Sequence, residues 1–137
     1  MKQMKVILIA DDEPEQILFL QVRLEANGYQ VISAPDGEAG LQAVRREKPD
    51  LILLDIMMPI HDGIEIARIL RDDPSTKEIP IIFLTGLMDN LSPALKRAQG
   101  YGYTIIGKPY DPVQLLRTIR RALNEPPSDL PNEPPEE

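Results

Sequence analysis

The chain has 137 residues, the size of one domain and enough to bury a core, so two folded domains are not expected. At 42% hydrophobic and 27% charged it has the composition of a soluble globular protein. Apolar runs such as Val6 to Ala10 and Ile52 to Leu54 are far too short to span a bilayer, and the first residues do not read as a signal peptide, so no membrane partner is expected. The lack of cysteine excludes disulfide scaffolds, thiolate chemistry and cysteine-based zinc sites, and fits the reducing cytoplasm expected as its location. The net charge of -7, from 15 bases and 22 acids, argues against the clustered basic footprint of a direct nucleic-acid binder.

The charge is unevenly placed. Residues 124–137 hold five of the 14 prolines, five acids and no base, which leaves residues 1–123 with 17 acids against 15 bases. A segment so rich in Pro and Glu, with Leu130 its only large apolar side chain, cannot offset the entropy of ordering. The expected organisation is a folded domain over 1–123 and a disordered tail or linker over 124–137.

In chain order, short runs rich in Val, Ile and Leu alternate with helical patterns. The predicted strands are Lys5 to Ala10, Gln30 to Ala34, Leu51 to Leu54, Ile81 to Leu84 and Tyr103 to Ile106. Pro14 opens the first helix and Gly28 closes it. The start of the fourth helix is left open by the sequence: its inner face would be Leu91, Leu95 and Ala98 and its end Gly100, while Ser92 and Pro93 offer a later start that leaves Gly86 to Leu91 as a loop. Asp111 caps the last helix, Pro112 is its first residue, and Leu116, Ile119 and Leu123 repeat on one face. Continuous apolarity suits strands covered on both faces, and helices between strands imply right-handed parallel crossovers. The expected fold is a three-layer α/β sandwich.

Chemistry emerges at the strand ends. Asp11 and Asp12 follow the first strand, Asp55 the third and Thr85 the fourth, while Lys108 lies just after the fifth. All are carboxyl ends, where open parallel sheets bind ligands. Singly each has a plain explanation, Asp11 and Asp12 as helix caps and Asp55 as a solvated strand end, but together they describe a pocket. Three carboxylates gathered there raise one another's pKa unless a cation joins them, and Mg2+ suits a site of one or two carboxylates plus phosphate oxygens. Lys108 offers a mobile charge and Thr85 a hydroxyl for phosphoryl oxygens, and an Asp carboxylate can serve as a phosphoryl acceptor.

These residues resemble the receiver domains of two-component response regulators over about residues 4 to 123. The motifs are the pair Asp11-Asp12, the stretch from Asp55 through Met57, Met58, Pro59, Ile60, His61 and Asp62 to Gly63, then Thr85-Gly86 and Lys108-Pro109. The resemblance implies a flavodoxin-like sheet of five parallel strands in the order 2-1-3-4-5. It makes Asp55 the phosphoacceptor, with Thr85 and Lys108 on the phosphoryl oxygens. Asp12 would bind Mg2+ directly, Asp11 through water, with Asp55 and the Met57 backbone carbonyl completing the protein ligands. Gly86 would leave room beside Thr85, Met58 would pack beneath the loop after Asp55, and the Lys108–Pro109 bond would be cis. A sensor histidine kinase or histidine phosphotransfer protein would be the donor. The face of helix 4, strand 5 and helix 5 would engage a downstream protein, as a monomer or a phosphorylation-dependent homodimer.

Two departures stand out. Ile105 occupies the position three residues before the Lys where receivers usually carry Tyr or Phe, and the stretch from Thr85 to Lys108 is one residue longer than usual. Tyr103 shares the face of Ile105 in an unbroken strand and is the candidate substitute. Apolar Met57 and Leu87 beside the pocket, in place of polar groups that orient water, predict slow loss of the phosphoryl group. His61 reads as a solvated loop residue, Met57 and Met58 as packing, and Lys96, Arg97, Arg117, Arg120 and Arg121 as a solvated basic face. The rival readings are a pseudo-receiver that only binds partners, a receiver segment of a hybrid kinase, and a Mg2+-dependent phosphatase, which would need a substrate pocket and a second acid to activate water and for which no cap domain is expected.

Overall fold

The computed structural model describes residues 4–58, 62–86, 93–101 and 103–125, with the backbone alone at 94, 95, 98 and 99. Strands and helices alternate strictly: β1 (Val6–Ala10), α1 (Pro14–Ala26), β2 (Gln30–Ala34), α2 (Gly37–Glu47), β3 (Leu51–Asp55), α3 (Gly63–Asp72), β4 (Ile81–Thr85), α4 (Pro93–Gly100), β5 (Thr104–Gly107) and α5 (Pro112–Ala122). Every strand pair is parallel and the order is β2-β1-β3-β4-β5, as expected.

The period-2 geometry of a strand explains why the apolar runs are unbroken. Ile7, Ile9, Leu51, Leu53, Ile82, Leu84 and Ile106 point into one core, shared with Leu20 and Leu24 of α1 and with Leu115, Leu116 and Ile119 of α5. Leu8, Ala10, Ile52, Leu54 and Phe83 point into the other, against Leu41 and Val44 of α2 and Ile64, Ala67 and Leu70 of α3. Both faces of β1, β3 and β4 are covered, so these strands stay apolar up to their carboxyl ends, while β2 and β5 at the edges carry the exposed Gln30, Ser33 and Thr104.

The strand boundaries shift by one residue. β3 and β4 run on to Asp55 and Thr85, because Asp55 pairs with Leu84 and Thr85 with Gly107 in the ladder. β1 begins at Val6, which pairs with Gln30, rather than at Lys5. β5 is displaced in the same way: its pairing begins at Thr104 opposite Ile82, so Tyr103 precedes the strand and Gly107 belongs to it. Apolarity marks what is buried, whereas hydrogen bonds decide where a strand ends.

The helix signals act as expected. Pro14 opens α1, and Gly28 follows it at a φ of 90°, a left-handed conformation that favours glycine. Asp111 accepts the Val113 N–H at 2.9 Å and caps α5. Gly100 is the last residue of α4. The expected inner face of α4, Leu91, Leu95 and Ala98, lies outside the described residues, as do residues 126–137. No described helix is long and apolar enough to cross a membrane.

One glycine joins the fold to the strand-end pocket. Asp62 accepts the Glu65 N–H and caps α3, and the Gly63 N–H donates to the Ile56 carbonyl at 2.8 Å, so α3 starts pressed against the end of β3. A Cβ on Gly63 would clash with the Asp55 carbonyl oxygen and lie 3.1 Å from the Ile56 Cα. Both obstacles are backbone and cannot rotate away. Gly63→Ala is therefore expected to destabilise the domain by about 1–3 kcal/mol, as overpacking does. Urea unfolding of the two proteins side by side measures it, and equal midpoints would contradict the packing.

Candidate functional site

Parallel pairing in register brings the strand-end residues to one edge. Asp11 follows β1 and is held there by its N–H to the Ala34 carbonyl at 3.1 Å, while Asp55 and Thr85 are the last residues of β3 and β4. Lys108 follows β5, and its N–H donates to the Thr85 carbonyl at 2.7 Å, so the β4–β5 pairing sets where its side chain starts. The Lys108–Pro109 peptide bond is cis. Apart from Thr76, the only buried polar or charged residues described are Asp11, Asp55 and Thr85.

The Lys108 ammonium donates to Asp11 Oδ2 at 3.0 Å and to Asp55 Oδ2 at 3.4 Å. The remaining oxygens are tied to the loops, Asp11 Oδ1 accepting the Glu13 N–H at 3.0 Å and Asp55 Oδ1 the Met57 N–H at 3.1 Å. Exposed Asp12 completes the acidic set, together with Glu13, which the sequence pattern did not single out. One carboxylate oxygen from each of Asp11, Asp12, Glu13 and Asp55 lies within 4.8 Å of the others. Glu13 escaped notice because an acid beside Pro14 reads as an ordinary helix start; as N-cap of α1 it makes no side-chain cap bond.

Burial dominates the electrostatics. It pushes the Asp55 carboxyl up to about 6 against the pull of Lys108, with Asp11 adding to the rise. Burial draws the Lys108 ammonium down, but the Asp55 and Asp11 carboxylates outweigh it and the net shift is upward. Hard carboxylate oxygens, clustered and partly open to solvent, fit a divalent ion of the Mg2+ type, which tolerates retained waters.

Other predicted residues sit as follows. Met57 is 53% exposed beside Asp55, and Met58 is buried in the core below. A Cβ on Gly86 would meet nothing within 4 Å, so the space beside Thr85 is open. Tyr103 and Ile105 both pack on the Phe83 side of the sheet, sharing a face as the period-2 pattern requires. Tyr103, however, lies at the amino edge, away from Thr85, with its ring edge-on to Phe83 at 4.9 Å. Pro59, Ile60, His61 and Leu87 lie outside the described residues.

The family profile described as response regulator receiver domain matches residues 7–120. The chain belongs to this family. Receivers are signalling domains that work with histidine kinases and downstream effectors rather than turnover enzymes. The chain is 38% identical over 117 residues to Protein PilH of Pseudomonas aeruginosa, covering 85% of this chain and 96% of that protein. It is 37% identical over 114 residues to Response regulator PleD of Caulobacter vibrioides, covering 83% of this chain and 25% of PleD, so it spans only about a quarter of that relative. Among solved structures, chemotaxis protein CheY4 of Vibrio cholerae superposes with a TM-score of 0.78 at 31% identity, covering 88% of this chain and 100% of CheY4. The signal receiver domain of a signal transduction histidine kinase from Syntrophus aciditrophicus gives a TM-score of 0.80 at 34% identity, covering 88% of this chain and 90% of that one.

The raised Asp55 carboxyl makes a stability prediction. The folded state holds this proton more tightly than the unfolded state, so the group's contribution is full below the unfolded value near 3.8 and is lost as pH rises through about 6. In chelator, Asp55→Asn is expected to be more stable than the parent by up to about 3 kcal/mol at pH 7, with the gap closing toward pH 4. Denaturant titrations at several pH values test this. A gap that widens on acidification would overturn the assignment.

Proposed function

We propose that this receiver accepts a phosphoryl group on Asp55 from a phosphohistidine, with Mg2+ required. The observation that carries the reading is the Lys108 ammonium shared between Asp11 and Asp55 inside a cluster of four acids. An Asp55 oxygen attacks phosphorus, the P–N bond breaks, and the histidine nitrogen leaves with the bonding pair and takes a proton. At pH 7 the Asp55 carboxyl is mostly ionised and available as nucleophile, since its pKa is pushed only to about 6. Lys108 exchanges a carboxylate for a phosphoryl oxygen, and the Thr85 hydroxyl donates to another. Asp12 and Asp11, with Asp55 and the Met57 carbonyl, would hold the metal, and Glu13 lies close enough to order a water there. The chemistry such an ion would supply is neutralisation of phosphoryl charge, and what the chain's own residues add is positioning.

The donor is a sensor histidine kinase or a histidine phosphotransfer protein, and it must meet the rim of this pocket. α1 begins directly at that rim and exposes Leu18 at 62%, Phe19 at 45% and Val22 at 36%, an apolar strip suited to a helical partner. Phosphorylation shifts a two-state equilibrium involving Thr85 and the α4–β5–α5 face, which binds the next protein. In this layout residues 1–123 are the receiver and 124–137 a tail or linker, placed in the cytoplasm with the donor. A receiver segment of a hybrid kinase is the second reading, favoured by the likeness to the Syntrophus kinase receiver. The intact set of Asp11, Asp12, Asp55, Thr85 and Lys108 speaks against a pseudo-receiver.

Incubation with acetyl phosphate and Mg2+, followed by intact mass, is expected to show one added phosphoryl group that is lost in Asp55→Asn and in chelator. No adduct under any condition, with beryllofluoride also failing to bind, would leave a pseudo-receiver. The exposed Met57 side chain offers no hydrogen bond to an attacking water. Met57→Asn is therefore expected to hasten decay of the phosphorylated protein several-fold, read by the time course of the mass shift, and an unchanged half-life would refute slow hydrolysis.

A further inference from the structure

At the amino edge of the sheet, opposite the acidic site, two depressions of about 240 and 130 Å3 adjoin and share Arg71 and Tyr103. The larger runs past Lys77 and Pro80, the smaller past Arg68 and Tyr101. The floor is already arranged. Tyr103 stands edge-on to Phe83 at 4.9 Å and to Tyr101 at 6.2 Å, and the Arg71 guanidinium lies 4.5 Å over the Tyr103 ring. Among the described residues, Arg68, Arg71 and Lys77 make no ion pair. These three bases exceed the two acids of the same walls, Asp72 and Glu78, by one.

The chain carries a segment of matching chemistry. Residues 126–137 contain five prolines, four acids and no base. Proline-rich segments adopt extended left-handed helices at little entropic cost and dock in aromatic-lined grooves, while carboxylates pair with guanidinium forks. Their point of departure is fixed. The Glu125 N–H donates to the Arg120 carbonyl at 2.8 Å and the Asn124 N–H to the Arg121 carbonyl at 3.2 Å, with Asn124 at a φ of 57°, a closed helix end. The Tyr29 hydroxyl donates to Glu125 Oε1 at 2.6 Å. Tyr29 immediately precedes β2 just as Tyr103 precedes β5, so exit and groove share one edge of a parallel sheet. Four interstrand steps separate them by about 19 Å. Twelve residues of extended left-handed helix reach about 37 Å, enough to pass under the edge to the other face.

We propose that residues 126–137 fold back across the amino edge and dock in the Arg71–Tyr101–Tyr103 groove, prolines on the tyrosine rings and carboxylates on Arg68, Arg71 and Lys77. This holds whether or not Asp55 is phosphorylated. Because the chain has no cysteine, Asn132→Cys in the full chain gives a unique site for a nitroxide label. In dilute labelled protein the amides of Arg68, Arg71, Lys77 and Tyr103 are expected to lose most of their intensity. They should recover it in 1 M salt, where screening is nearly complete at about 3 Å. Arg71→Glu should restore them too, as should tail changes Glu133→Lys, Glu136→Lys and Glu137→Lys, which leave the folded residues untouched. Broadening confined to the end of α5 and the surroundings of Tyr29 would overturn the proposal. So would broadening that appears only when labelled and unlabelled copies are mixed, which would place the tail on a second molecule.

Discussion

A lysine ammonium held between two buried carboxylates governs this molecule. Asp11 and Asp55 would repel each other at the ends of adjacent strands, and among the described residues Lys108 is the one cation set between them. The three charges cannot be valued one by one, because removing Lys108 would leave two buried carboxylates uncompensated. Even with the lysine present, burial lifts Asp55 toward the neutral form. The site is thus held short of balance: two acids at hydrogen-bond distance, one base, and two further acids at the solvent side that add negative charge. A divalent ion and a dianionic phosphoryl group together would redress it. In the proposed function, affinity for both would follow from that one geometry.

That geometry is delivered by a scaffold that is apolar everywhere else. Alternate residues of β1, β3 and β4 enter opposite cores, so these inner strands carry polar residues only where the sheet ends. The lysine's place depends on the last ladder bonds between β4 and β5, since its own N–H closes on the Thr85 carbonyl. Asp55 depends likewise on the start of α3, where Gly63 lies against the Asp55 backbone. A change in backbone pairing at either point moves a charge. A close-packed sheet resists such changes, and in the proposed function that resistance would favour a two-state response over a graded one.

Much of this is legible in the sequence, for physical reasons. Unbroken runs such as Leu51 to Leu54, short and spaced between helical patterns, suit doubly covered strands, and Asp11, Asp55, Thr85 and Lys108 stand out because they interrupt apolarity at equivalent points. What escapes is what hydrogen bonds and packing decide. Tyr103 has the side chain of a strand residue yet lies outside the ladder, and Gly107 has none yet lies within it. Glu13 looks like any acid in a first helical turn, and only the approach of β1 to β3 brings it to the cluster. The stack of Arg71 on Tyr103 joins residues more than thirty positions apart, which no periodicity predicts.

The same stack bears on how a signal can leave the site. Receivers usually place an aromatic ring three residues before the lysine, where it can turn as the threonine moves; here Ile105 holds that place. Tyr103, the candidate substitute, is clasped between Phe83 and Arg71 at the amino edge. Thr85 pairs at the level of Gly107, four residues or about 13 Å further along the strand. A ring held at that distance has no path into the space a displaced Thr85 hydroxyl would vacate. In the proposed function, movement at Thr85 would then travel through the backbone bond to Lys108 and through aliphatic packing around Ile105, a branched side chain with few rotamers. Such a route would shift the β4–β5 edge as a unit instead of flipping one side chain, so the surface that changes on phosphorylation would be that strand edge together with the start of α5.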